Sequence, residues 1–237
     1  MISSIILQVT QSTPIVGNTA TQAPTINAFD SLNLWDLTLK GGIIMIPLAI
    51  MSVITIYIFI ERYITIKKAS KEENNFMNNI RDFIHNGRLD SALSLCRNNS
   101  TPIARMIEKG LMRIGRPLND INTSIENVGK LEVTRLEKNI AALATMAGAG
   151  PMLGFLGTVI GMVSAFYSMS KAGNNINIEV LSSGIYEAMI TTVGGLIVGI
   201  TAYIFYNILV ARVEKVVFLL EARTTEFMDL LNEPAHN

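Results

Sequence analysis

Cysteine, histidine and charge are all scarce in this chain, and each scarcity excludes something. A single cysteine, Cys96, rules out an internal disulfide framework. The two histidines, His85 and His236, are far apart with no ligand pattern around them, so no metal site is expected. Only 16% of the 237 residues are charged, and 19 basic residues balance 19 acidic ones. That balance gives no electrostatic basis for a nucleic-acid partner. There is no phosphate loop, nucleophile elbow or metal-ligand cluster. The chain therefore does not read as an enzyme, and no cofactor is expected.

What is abundant is apolar surface. Hydrophobic residues make up 49% of the chain, and mean hydropathy is +0.38. A spanning helix needs about 20 apolar residues, and three stretches supply them. Residues 41–60 lie between Lys40 and Glu61, residues 139–170 carry no charge, and residues 185–211 hold only Glu187. The expected fold is an all-α polytopic membrane protein with three transmembrane helices.

Basic residues set the expected orientation. Of the 19 Lys and Arg, 14 lie in 61–138 and three more, Arg212, Lys215 and Arg223, follow the third span. The N-terminal part has Lys40 and the link at 171–184 has Lys171. The N-terminus and the link are thus expected outside, in the periplasm. The loop at 61–138 and the tail at 212–237 are expected in the cytoplasm.

Residues 1–30 are rich in Thr, Ser, Asn and Pro and nearly uncharged, which predicts a flexible periplasmic tail. The N-terminus lacks a basic n-region, so a signal peptide there reads as weak or absent. Residues 31–40 are amphipathic and carry Trp35. They read either as an interfacial helix or as an ordinary lead-in to the first span.

In the cytoplasmic domain, helical spacing predicts helices over 71–86, ending at Gly87, and over 90–97. Pro102 opens another, closed by Gly115 and Pro117. Asn119 or Asp120 is expected to cap a further helix that runs unbroken through Leu131, Leu136 and Ile140 into the second span. The third span is expected to continue through Val213, Val216, Leu220, Phe227 and Leu230. Two of the three membrane helices thus extend into a cytoplasmic helical bundle, with Cys96 a small buried apolar residue within it.

The second span is not built as a lipid-facing helix would be. Gly150, Gly154, Gly157, Gly161 and Ser164 recur every three or four residues on one face, where another backbone can approach closely. Beside them Gly154, Thr158, Gly161 and Ala165 form a second small stripe bearing a hydroxyl. Pro151 removes one helical hydrogen bond. In the third span Ala188, Thr192, Gly195 and Gly199 repeat the spacing. Glu187 faces either a cavity or the headgroups, since a carboxylate is costly in lipid.

The motif G-P-M-L-G-F-L-G-T-V-I-G-M-V-S-A-F, and G-I-Y-E-A-M-I-T-T-V-G-G-L-I-V-G-I after a short link, resemble those of the MotA/TolQ/ExbB proton channel family. E-R-Y after the first span and T-P-I-A-R-M-I-E-K-G-L in the loop place the resemblance nearest its ExbB branch, over roughly 32–231. The resemblance implies an inner-membrane homopentamer surrounding a dimer of an ExbD-like single-span subunit. Proton flow would drive it and a TonB-like protein would receive the motion, with protons as the coupling ion. It further implies that Thr158, Thr192 and Glu187 line the proton path. The proton-carrying Asp would lie on the partner. The resemblance matches Pro151 to the proline before the glycine-rich core. Thr191 stands where alanine is familiar, and Gly195 where a larger residue is common. A TolQ-like role in envelope integrity shares these features. A solute channel and a structural scaffold are the alternatives from other classes.

Overall fold

The computed structural model describes residues 41–71, 75–171 and 178–232. The expected tail at 1–30, the segment at 31–40 and the last five residues lie outside the described residues. Those described form seven helices and no strand: α1 Met45–Ala69, α2 Phe76–His85, α3 Leu89–Asn98, α4 Pro102–Leu111, α5 Leu118–Glu137, α6 Ile140–Lys171 and α7 Ile178–Asn232. Three stretches are long and apolar enough to cross a membrane: α1, the α5–α6 stretch Leu118–Lys171, and Leu181–Asn232 of α7. Only 22–28% of each apolar window is buried within the chain, so most of each span faces outward.

Local chemistry explains the ends of the short helices. Thr101 caps α4, its hydroxyl accepting from the Ala104 N–H at 3.3 Å, with Pro102 at the first helical position. Gly87 takes φ +66° after α2 and Gly115 takes φ +94° beyond α4, a region open to glycine without strain. The α5 helix begins at Leu118, directly after Pro117, rather than at an Asn119 or Asp120 cap.

Two further boundaries differ from the sequence expectation. The helix leading into the second span is interrupted. Lys138 has ψ 133° and Asn139 has φ +65°, which turns the peptide between them out of helical orientation. Asn is one of the few non-glycine residues that tolerate this region. The carbonyl of Arg135 consequently lacks its helical acceptor role, and Arg62 Nη1 donates to it at 3.1 Å. In addition, α7 starts at Ile178, inside the stretch expected to be a link. At 1.5 Å per residue its 55 residues extend roughly 80 Å.

The far half of α7 forms the spine of the helical bundle. Val213, Val216, Leu220 and Phe227 are buried against Ile107, Ile121, Ile125 and Leu111. Gly110 lets α4 approach: a Cβ there would lie 2.7 Å from Phe227 Cε1 and 2.8 Å from Ile125 Cδ1. Glu132, 3% exposed, is the bundle's buried acid. Arg105 Nε donates to its Oε1 at 2.9 Å, and Arg135 Nη1 to the same oxygen at 2.6 Å. A buried carboxylate is stable only when so paired.

Cys96 is 1% exposed in the same core. Burial, with the Glu108 charge adding to it, pushes its thiol up to about 12. Thiol reagents attack the thiolate, so maleimide labelling of the folded chain at pH 8 is expected to be slow. Raising the pH to 10 speeds a free thiol but is expected to leave the folded one slow. Denaturant should restore ordinary labelling. Equal rates in folded and unfolded chain would contradict this burial.

Candidate functional site

The small-residue faces of α6 and α7 meet backbone to backbone. Gly195 is the closest approach of backbone to backbone: an added Cβ would sit 2.6 Å from the Gly150 carbonyl oxygen and 2.8 Å from Gly154 Cα. At Gly154 it would meet the Thr191 carbonyl oxygen at 3.0 Å, and at Gly150 the Gly199 nitrogen at 3.0 Å. Gly161 lies against Ala188, and Gly184 against Ala165, at 2.9 and 2.6 Å from the same construction. Gly157 lies against the Thr191 side chain. The two helices therefore run antiparallel in one register, Gly150 by Gly199 at one end and Ala165 by Gly184 at the other. Pro151 sits within α6, which remains helical through it. The carbonyl four residues earlier, on Ala147, has lost its donor and lies 3.1 Å from a Cβ placed on Gly199.

This register revises the sequence expectation. The packed stripe continues from Gly161 to Ala165, which is 3% exposed, while Ser164 faces outward. The two expected stripes are one contact, because Gly154 and Gly161 are both occupied by α7. Thr158 is left half-buried at its rim, its hydroxyl donating to the Phe155 carbonyl at 2.6 Å.

Thr191 and Thr192 lie on the face of α7 turned to α6. Thr192 donates to the Gly154 carbonyl at 3.1 Å, a hydrogen bond between the two helices. Thr191 is 2% exposed and donates to Ala188 O at 2.7 Å. Glu187 is half-buried and does not join them. Its carboxylate lies against Gly42, whose φ is +66°. Beside it an open hollow of about 630 Å³ is lined by Glu179, Ser182, Ser183, Tyr186 and Glu187. The structure thus brings Thr192 to Gly154 and Gly199 to Pro151, and places Glu187 separately, at the span end away from the bundle.

Sequence reasoning missed the role of α1. Gly194 admits α1, since a Cβ there would lie 3.3 Å from Met45 Sδ, while its neighbour Gly195 admits α6. Adjacent helical residues point about 100° apart. A Gly-Gly pair therefore signals two close contacts on different sides, and that signal was present in the sequence. Thr55, 1% exposed on α1, puts its hydroxyl 3.1 Å from Met146 Sδ.

The fold and this interface define a three-span membrane subunit whose second and third spans form a glycine-packed hairpin with hydroxyls set into it. A sequence model of the MotA/TolQ/ExbB proton channel family matches residues 98–222, from the end of α3 through the hairpin into the bundle. The chain belongs to this family. It is 27% identical over 171 residues to the putative biopolymer transport protein ExbB-like 3 of a Synechocystis species, covering 72% of this chain and 81% of that one. With the Tol-Pal system protein TolQ of Haemophilus influenzae it shares 29% over 201 residues, 78% and 87% of the two chains. With the biopolymer transport protein ExbB of Aquifex aeolicus it shares 36% over 104 residues, 43% and 70%.

Gly195→Ala is expected to force the α6 and α7 backbones apart, an overpacking cost of about 1–3 kcal/mol, and to lower the thermal midpoint in detergent. Gly148→Ala is the control, since a Cβ there meets nothing within 4 Å. It should leave the midpoint unchanged or raise it. Equal behaviour of the two variants would contradict the close approach.

Proposed function

We propose that this chain is the ExbB-like subunit of a proton-driven machine in a bacterial inner membrane. It would assemble as a homopentamer around an ExbD-like single-span partner and pass motion to a TonB-like protein that energises outer-membrane uptake. In this reading the N-terminus is periplasmic and the bundle is cytoplasmic. The observation that carries it is the α6–α7 contact, where hydroxyls sit in a backbone-close interface free of fixed charge. From 139 to 170 and from 188 to 211 there is no Asp, Glu, Lys or Arg, so the carboxyl that takes up the proton is assigned to the partner.

The physics supports the assignment. One charge crossing 100 mV releases about 2.3 kcal/mol. Converting that into movement requires an interface that rearranges at low cost. Thr158 and Thr192 can each accept from or donate to a passing carboxyl or water, whereas a fixed charge would trap it. Glu187, beside the hollow at the far end of the span, would concentrate protons at the mouth of the path.

A TolQ-like role is the second reading, favoured by the match to the Haemophilus TolQ over 87% of that protein. Affinity purification of the chain expressed with its neighbouring genes separates the two. Recovery of ExbD-like and TonB-like chains supports the first, and recovery of Tol-type partners without a TonB-like one supports the second. A solute channel would give substrate-specific flux from this chain alone.

The doubly substituted Thr158→Ala/Thr192→Ala chain is expected to assemble normally, since one interhelical hydrogen bond in a membrane contributes only about 0.6 kcal/mol. Energised uptake should fall at least about tenfold, equivalent to 1.4 kcal/mol. Undiminished uptake by an intact oligomer would remove both threonines from the path and favour a structural scaffold.

A further inference from the structure

Where α1 and α7 emerge on the bundle side, a hollow of about 360 Å³ is lined by Ile66, Lys67, Ser70, Lys71, Arg212 and Lys215. Four of the six are cations and none is an acid. Arg212 is anchored: its guanidinium lies 4.2 Å from the Tyr63 ring centroid, and Nη2 donates to the Tyr63 hydroxyl at 3.1 Å. Among the described residues no carboxylate forms an ion pair with any of the four. Of the nearby acids, Glu61 is held by Arg62, with 2.6 Å from Nη2 to Oε1, and Glu214 is exposed. Glu72 and Glu73, which follow Lys71, lie outside the described residues.

The two helices carry the same pattern on the approach to this hollow. On α1, Ile60, Ile64 and Lys67 fall at helical spacing along one stripe, and Lys71 follows just beyond the helix end. On α7, Ile204, Ile208, Arg212 and Lys215 fall at the same spacing. The four isoleucines are 53, 48, 50 and 38% exposed. Between the stripes Phe59 and Phe205 stack with centroids 3.9 Å apart. An apolar trough thus leads from the membrane to a cationic cap. A free phosphate needs only the cap. A lipid uses both.

We propose that this hollow binds the phosphate of an anionic phospholipid in the leaflet facing the bundle, with its acyl chains along the isoleucine stripes. The site clamps α1 to α7 at the level where the spans give way to the bundle.

The test is native mass spectrometry of the full-length chain in detergent, titrated with phosphatidylglycerol or phosphatidylcholine. The unsubstituted chain should retain phosphatidylglycerol over phosphatidylcholine. Lys67→Gln/Lys71→Gln, at two exposed positions that leave folding intact, should weaken phosphatidylglycerol retention about 25-fold. That is about fivefold for each cation, the equivalent of about 1 kcal/mol apiece near an anionic surface. Lys109→Gln/Lys130→Gln removes the same charge from exposed bundle positions and should change retention little. Equal retention of the two lipids, equal loss in both variants, or displacement of the lipid by millimolar inorganic phosphate would each overturn the proposal.

Discussion

The contact on which the membrane part depends is the approach of two backbones, Gly154 to Gly195, with no side chain between them. Lipid tails are as apolar as leucine, so the hydrophobic effect gives spans little reason to associate with each other. Association comes from close packing and from polar groups that must be satisfied. Glycine on both sides supplies the first, and the Thr192 hydrogen bond to the Gly154 carbonyl supplies the second. Because the packing is between backbones, many large side chains of α6 beyond Gly150 are turned away from it. Met152, Phe155, Val163 and Phe166 are each more than half exposed and form the surface offered to lipid or to further subunits.

The hairpin is joined to the bundle unequally. The α7 helix passes from membrane to bundle without a break, so its displacement in one region is carried to the other by a continuous hydrogen-bonded backbone. The α5 and α6 helices meet through Lys138 and Asn139, which are not helical. Arg62 stands at this joint: it holds the Arg135 carbonyl while its own charge is met by Glu61. One rod is continuous and the other jointed, and the joint is fastened to the first span. In the proposed machine that arrangement would let the membrane ends of α6 and α7 shift relative to each other without unpacking the Phe227 core.

The number of spans and the helical character of the bundle were legible because hydropathy and helical period are properties of local sequence. The glycine stripe was legible for the same reason, but its far end was not. Continuing it to Ser164 assumes fourteen residues in four turns, as in a left-handed heptad seam. The contact takes fifteen residues over those four turns, and Ala165 replaces Ser164. The choice depends on how the two helices cross, which no single helix encodes. The break at Asn139 was hidden because residues on both sides continue the apolar pattern and the left-handed φ of one Asn leaves no trace in hydropathy. The placement of Glu187 against Gly42 was hidden because it joins residues 145 positions apart.

Threonine rather than a carboxylate suits the interior of this hairpin for a simple reason. In a span, every hydroxyl can return its proton to its own helix, as Thr145 does to Ala141, Thr158 to Phe155, and Thr201 to Ile197. Such a residue is satisfied at rest without any partner. In the proposed path, a carboxyl that arrived would meet a hydroxyl able to exchange one acceptor for another at similar free energy. A carboxylate in the same place would have no backbone donor to turn to, since every N–H beside it is already used by the helix. It would have to be neutralised or paired permanently. In the proposed proton path the threonines would therefore let the α6–α7 surface meet a charged group transiently and release it, which a fixed charge at the same positions would not.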